Sequence, residues 1–498
     1  MKIKFAIVMC YMTITIGISL VSCHDELFPV PVSQITSSSF WNTADDANGG
    51  LNGMYYYLRS QAGTNFFLWG EARSESQVTS LGVSTGYYPL IFNNTLDRIN
   101  AGPNWREMYL LIHHANLIIK YVPDIKFNSE NEKNNILAQA YAMRAFVYFV
   151  MTKTWGDLPI VTEPTESYDP SILQRGRSSQ ADVFTLIKSD VDEALKLFPT
   201  NQVASTRNYW SKPATNVLKA DIYLWTAKRN GGGTADLNIA LEALNEAETN
   251  NVVLLDNFAS IFDYDNKGNN EILMSITFKY LESESTYFYY MYIYSSFMPP
   301  NIDPESKEAI GVEAGASSAY WQVSPIVRQQ FSEDDQRKKA TFIEVYTIDD
   351  LGNKSLYVTL PCKFSGTVIN GVRNFIDDVV LYRYADILLL RAEVKNALGQ
   401  DPSSDINKIR QRAYQENYNA HVFVNGSKED NDAAILKERL LEFYLEGKYW
   451  WDLIRFDKVF ELVPSLVGRG SDRYLLLWPI PYQTFSLEPA VTQNTGWE

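Results

Sequence analysis

Apolar residues recur at three- and four-residue intervals over most of this chain, the period of a helix with one buried stripe. The pattern holds at about 104–122, 131–154, 180–197, 213–229 and 236–249, and it returns at about 384–398, 403–418 and 432–449. Val183, Ile187, Val191, Ala194 and Leu195 form one such stripe. An earlier helix carries Leu51, Met54, Tyr55 and Leu58, and Thr43-Ala-Asp-Asp46 ahead of it has the side chains of a capping box. Ala142 and Ala145, and later Ala385 and Ala392, are small enough to let neighbouring helices approach closely. Between about 252 and 380 the period breaks. Residues 271–278, 341–347 and 356–361 read as strands, separated by a Tyr-dense stretch at 286–297 and a loop-like one at 311–320. The fold class is therefore mainly α: a helical scaffold over about 40–250 and 381–460, interrupted by an irregular loop/β insertion at about 252–380. Long irregular segments on a rigid frame are where binding residues concentrate. Helix pairs joined by short turns suggest a tetratricopeptide type of repeat, although the strict 34-residue signature is absent.

The N-terminus follows a different rule. Lys2 and Lys4 precede an apolar run from Phe5 to Leu20, the charged and hydrophobic regions of a secretory signal at residues 1–22. Leu20-Val-Ser-Cys23 resembles a lipobox, in which Cys23 is lipidated and becomes the mature N-terminus, fixing the chain to a membrane surface. Residues 23–498 then form a single domain with ample material for a core. No later stretch approaches the roughly 18 apolar residues of a spanning helix. The formal charge is −15, and the leader carries two lysines and no acids, which leaves −17 for the mature chain. Such a charge excludes nucleic acid as a partner and disfavours electrostatic docking on anionic lipid.

Little here has the pattern of catalysis. Of three cysteines, Cys10 leaves with the signal, Cys23 carries lipid and Cys362 stands alone, so there is no disulfide framework. His113 and His114 are adjacent on a helix and point to different faces, whereas a zinc pair needs i and i+4. Asp263-Tyr-Asp-Asn-Lys-Gly268 begins like a calcium loop but puts Lys267 at a ligand position, and reads as a turn before a strand. Glu438, Glu442 and Glu446 share one predicted helical face. That spacing fits acid/base chemistry or, more simply, ion pairs with Arg439, Lys448 and Arg455. Trp155-Gly-Asp-Leu-Pro159 has the make-up of a helix stop. The expectation is a binding protein without cofactor or metal, and no enzyme.

Several segments in order resemble the SusD-like (RagB/SusD) nutrient-binding lipoproteins of the Bacteroidetes outer membrane. They are Phe40-Trp-Asn-Thr-Ala-Asp-Asp-Ala47, the block from Arg144 through Trp155-Gly-Asp-Leu-Pro159 to Val161, Leu381-Tyr-Arg-Tyr-Ala-Asp386 running on to Glu393, Ile406-Asn-Lys-Ile-Arg-Gln-Arg-Ala413, the block from Glu438 to Arg455, and the closing Leu477-Trp-Pro-Ile-Pro481 and Gln493-Asn-Thr-Gly-Trp497. The resemblance implies a SusD-like fold with four tetratricopeptide-like helix pairs, and a SusC-like TonB-dependent transporter as partner, over which the lipoprotein sits as a lid. It also implies cell-surface exposure at the outer membrane, with Asp25-Glu26 similar to an export signal. The ligand it leaves open: the family includes binders of different glycans, and some members bind peptides. A surface glycoside hydrolase is the remaining alternative and would need a converging carboxylate pair.

Sugars are polar at the rim and apolar on the face, so a glycan site needs flat aromatic rings beside amides, carboxylates or guanidinium groups. The chain has 31 Tyr and 11 Trp, and three loop stretches supply the mixture. Tyr87 and Tyr88 lead to Asn93 and Arg98; Tyr287 and Tyr290 lie in the Tyr-dense stretch; Tyr320 and Trp321 close the insertion. These eight are the candidate ligand residues, with Trp321 expected to contact ligand and to tolerate alanine without unfolding. Core packing is the competing use for the same rings, especially for the tyrosines at 288–294, for Trp69 and for Trp105.

Overall fold

The computed structural model describes residues 40–498 except Ser84, Ser167, Tyr168, Pro170–Ile172, Glu284, Ser285, Glu313, Ser317 and Ser318. The signal and Cys23 lie outside the described residues. Four helix pairs stack in chain order: α1 (Ala44–Ala62) with α2 (Arg106–Tyr121), α3 (Glu130–Trp155) with α4 (Gln180–Leu197), α5 (Lys212–Arg229) with α6 (Gly233–Ala247), and α7 (Tyr384–Ala397) with α8 (Ser403–Tyr414). Each pair packs on the next through α2–α3, α4–α5 and α6–α7 contacts. A ninth helix, α9 (Lys428–Phe443), packs on α7, and α10 (Tyr449–Arg455) follows it. No helix among the described residues is long and apolar enough to cross a membrane.

Local chemistry explains the helix ends. The Asp46 amide donates to Thr43 Oγ1 and the Thr43 amide to Asp46 Oδ2 at 2.8 Å, so α1 starts in the capping box its sequence spells. Helix α3 is buried from Ile136 to Trp155 except at half-buried Tyr141, and Ala142 and Ala145 have no exposed surface. It stops at Gly156, whose φ of +79° suits only glycine and whose would-be Cβ would lie 2.9 Å from Leu477 Cδ1. Asp263 caps the turn at Tyr264–Asn266, as expected of a turn preceding a strand.

Among the described residues eight short strands form four antiparallel pairs, all but β1 lying in the insertion or at its edge: β1 (Gln77–Thr79) with β3 (Trp321–Val323), β2 (Ile272–Ile276) with β8 (Val379–Arg383), β4 (Phe342–Ile348) with β5 (Lys354–Pro361), and β6 (Thr367–Ile369) with β7 (Val372–Asn374). Three of these occupy the predicted strand regions.

One predicted helix is two. Expected to run to about 449, α9 ends at Phe443, and the chain turns through Leu445 (φ +71°) and Gly447 (φ +71°) before α10. The turn is held from outside: the Leu445 and Gly447 amides both donate to Glu71 at 2.8 Å, and Gly447 presses on Gly70, where a Cβ would meet the Gly447 oxygen at 1.9 Å. Glu446 therefore leaves the helix, yet still joins Glu438 and Glu442 in a buried ionic hub. Arg337 Nη1 reaches Glu438 at 2.7 Å and Glu442 at 3.1 Å; Arg383 reaches Glu442 at 2.6 Å, Glu271 at 2.7 Å and Glu446 at 2.8 Å. Lys363 closes on Glu446 at 2.6 Å, Arg410 on Glu438 at 2.8 Å, and Arg412 on Glu442. Two of the three expected partners are thus replaced, and the third, Lys448, keeps only a long ion pair. Arg439 pairs with Asp452, Arg455 with Glu393 and Asp452, and Lys448 comes only to 3.8 Å from Glu446. Burial alone would raise the Glu442 carboxyl, but Arg412, Arg383 and Arg337 together hold it far below the ordinary range. These carboxylates bind the insertion to the scaffold, consistent with ion pairing.

Candidate functional site

The three candidate loop stretches meet. Strands β1 and β3 pair with Thr79 opposite Trp321, and the ladder continues as Ser80 and Gly82 amides donate to Tyr320 and Ala319 carbonyls at 3.0 and 3.2 Å. On the other side the Tyr320 amide donates to the Tyr290 carbonyl at 2.8 Å and the Ala319 amide to that of Tyr292 at 3.1 Å. The short helix Tyr88–Phe92, with Pro89 in its first turn, lays Tyr88 and Phe92 on the Trp321 ring, centroids 5.1 and 4.7 Å away. Backbone bonds thus set the positions of rings contributed by three distant parts of the chain.

The rings lie in two layers. Trp321 is 1% exposed and Tyr287 2%. Tyr287 stacks on Phe67 at 4.2 Å and donates its hydroxyl to the Leu445 carbonyl at 2.7 Å. Both are floor, and neither offers a free face, which corrects their expected role as ligand platforms. The reason is period: along β3, Trp321 and Val323 point inward and Tyr320 and Gln322 outward. The 287–291 stretch is a 3-10 turn rather than a strand, so Tyr287 and Phe288 go in together while Tyr289 and Tyr290 stay half-buried. Trp69 and Trp105 are core residues.

Above this floor stand Tyr87, Tyr88, Tyr290 and Tyr320, all half-buried. Tyr290 and Tyr320 are nearly parallel, 20° apart in plane at 6.0 Å, and Tyr88 lies 6.4 Å from Tyr290 and 4.8 Å from Tyr87. Burial, with Tyr87 adding to it, pushes the Tyr88 phenol well above its ordinary value, so it remains a neutral donor. Tyr289, 5.2 Å from Tyr290 in the same Tyr-dense stretch, belongs to the same outer layer. Gln322 follows Trp321 in β3. Its amide is committed to Thr79 O and the Thr359 amide at 3.3 Å, bracing β1, β3 and β5.

Asn93 and Arg98 are exposed, and their side chains make no hydrogen bond among the described residues. Asn93 closes the short helix, and Arg98 uses its carbonyl to accept from Tyr482 N at 2.9 Å. The structure brings neither into contact with the outer tyrosines. His113 accepts from the Thr165 amide through Nδ1 at 3.0 Å, and His114 stacks on Tyr57 at 4.4 Å, so each ring has its own local use.

A scaffold of stacked helix pairs presenting a two-layered aromatic surface defines a ligand-binding frame. The family model described as "SusD family" matches residues 200–475, and one described as "Starch-binding associating with outer membrane" matches 49–224. The chain belongs to the SusD family. It is 29% identical to SusD-like protein P38 of Formosa agariphila over 97% of both chains. It is 30% identical to starch-binding protein SusD of Bacteroides thetaiotaomicron over a shorter stretch, 24% of this chain and 22% of that one. Among solved structures, B. fragilis NanU superposes with a TM-score of 0.84 at 30% identity, covering 94% of this chain and 100% of that one.

Proposed function

We propose that this protein is a cell-surface, lipid-anchored glycan-binding lipoprotein that captures oligosaccharides and hands them to a SusC-like TonB-dependent transporter. The observation that carries the reading is the outer tyrosine layer. Tyr87, Tyr88, Tyr290 and Tyr320 turn half-exposed rings outward over a rigid floor, the arrangement that sugar C–H faces require. The starch-binding description of the matching family model and the name of the B. thetaiotaomicron relative support the ligand class, and the former also supports the outer membrane. The anchor rests on Cys23 in its lipobox-like context. Capture involves no covalent step. Selectivity comes from ring curvature and hydrogen-bond placement, and modest affinity suffices because the anchor keeps binder and transporter at high effective concentration.

Residues 24–498, tested by affinity gel and calorimetry against plant, host and microbial polysaccharides and a mixed oligopeptide pool, should bind one glycan class saturably. Tyr88→Ala/Tyr320→Ala should lose that binding at least tenfold. Binding to peptides alone would overturn the substrate class. Separately, Cys23→Ala should release the protein from the membrane fraction, and continued sedimentation would sink the anchor.

A further inference from the structure

A second cleft lies between α1, α3 and the connector from α4 to α5, about 500 Å³ in volume and sharing no wall residue with the tyrosine platform. Its chemistry is unusual. The wall holds five primary amides and four Ser or Thr hydroxyls, with Glu132 its only ionisable acid and no Lys, Arg or His. Primary amides each donate and accept, which matches vicinal hydroxyls and neither free ions nor a charged peptide.

One amide has its orientation dictated. The Trp210 amide donates to Tyr55 Oη at 2.8 Å, and that hydroxyl, burial having raised its pKa far beyond its ordinary value, must spend its proton on Gln139 Oε1 at 2.9 Å. Gln139 is 4% exposed, and with its oxygen engaged its Nε2 is left without a partner among the described residues. Ser211, also 4% exposed and in the same wall, has no partner for Oγ. Asn135, half-buried on the same helix as Gln139, makes no side-chain hydrogen bond among the described residues. An unpartnered amide donor on a residue more than nine-tenths buried in the cleft wall is a group that a hydroxyl-rich occupant satisfies, whereas Ser211 Oγ is sealed from the cleft.

An aromatic face stands at the rim. Tyr209 is half-buried, set edge-on to Tyr55 at 4.7 Å and tied by its hydroxyl to Asn52 Oδ1 at 3.2 Å. Asn52 and Tyr209 also line a neighbouring cleft reaching Tyr56, so the ring divides two connected polar surfaces. The connector is firm: Arg207 donates to Ile272 O at 3.1 Å and Asn251 O at 3.0 Å, and its own carbonyl accepts the Ser275 amide at 2.8 Å.

We infer that this cleft is a second carbohydrate site, which takes a neutral oligosaccharide segment with Tyr209 against a sugar face and Asn135 and Gln139 on its hydroxyls. The inference rests on the glycan-binding reading above, and it adds a contact for long chains that the platform alone does not make.

The test uses residues 24–498 on native gels containing amylopectin, laminarin, xylan or galactomannan, followed by calorimetry with a short oligosaccharide of the retained polymer. Asn135→Ala/Tyr209→Ala should weaken retention by the polymer three- to tenfold, and adding it to Tyr88→Ala/Tyr320→Ala should remove the residual retention. If Tyr209→Ala lowers the melting temperature, Asn135→Ala alone, at a half-buried helix position, should still weaken retention about threefold. Cleft variants indistinguishable from wild type, while the platform variant loses binding, would overturn the second site and leave the platform standing. Wild-type protein retained by none of the four polymers, nor by any polysaccharide of the wider plant, host and microbial panel, would bring both readings down. Displacement of a peptide pool, and not of polysaccharide, by the cleft variants would overturn its carbohydrate assignment.

Discussion

The ionic hub and the aromatic platform are both assembled from residues far apart in the chain, yet they are built on opposite terms. In the hub, Arg337, Arg383, Glu442, Glu446 and Glu271 have fully buried side chains, and each carboxylate meets at least one guanidinium or ammonium at 2.6–2.8 Å. At the platform the outer rings are half open and are held by backbone hydrogen bonds, with no charge among them. A buried charge tolerates only its partner, because removing either leaves an uncompensated ion. An outward ring on a backbone-fixed frame tolerates substitution, so its identity is free to follow the ligand. The hub specifies the fold; on the function proposed above, the platform specifies what is bound.

Breaking the hub should have the largest consequence, and acid does so globally. Burial alone would raise the Glu446 and Glu393 carboxyls, but Arg383 with Lys363, and Arg455 with Lys228, outweigh it and hold both at about 2, below the ordinary 4.5. A depressed carboxyl contributes stability that is complete above about 4.5 and drains away as pH falls through 2. The melting temperature should therefore fall steeply between those values. Glu71 and Asp377, pushed up to about 7 by burial, act in the opposite sense between 4.5 and 7 and do not contribute to the acid limb. A flat melting temperature between pH 4.5 and 2 would contradict the ion-pair account.

Next comes Glu442→Ala, which strands Arg337, Arg383 and Arg412 together and should cost ~3–5 kcal/mol in chemical denaturation at neutral pH. Trp321→Ala should cost about as much, ~3–5 kcal/mol, because it empties the floor beneath Tyr88, Phe92 and Tyr290. Binding lost in that variant would report a collapsed floor. Tyr320→Ala should do the reverse, with stability changed by about 1 kcal/mol or less and glycan affinity reduced about tenfold by calorimetry. A Tyr320 variant as unstable as the Trp321 one would erase the distinction between layers. The smallest effect belongs to Thr43→Ala, which removes one half of a helix cap for ~1 kcal/mol without touching binding.

The helical scaffold was legible because its signals are local. Period, cap and stop agree at Thr43, at Ala142 and Ala145, and at Gly156. The break after Phe443 was not, since Tyr444 and Leu445 continue the apolar pattern and the turn is forced by Glu71 and Gly70 from a distant segment. At the candidate site, tyrosine density marked three stretches that the structure brings together. Which ring faces solvent depends on the pairing of β1 with β3, a long-range choice invisible in either strand. Asn135 and Tyr209 went unnoticed because an amide on a helix and a tyrosine in a connector look ordinary until Tyr55 and Trp210 bring them together.

The ladder that joins Gln77 to Val323 also governs when the protein becomes useful. Its partners are roughly 240 residues apart, and contacts of such sequence separation close slowly because a large loop must be ordered first. During synthesis the N-terminal helix pairs can form while the chain is still emerging. The platform has to wait for most of the insertion to arrive. Completion of the platform is therefore a late event in folding, and a half-emerged chain is a helical stack without it.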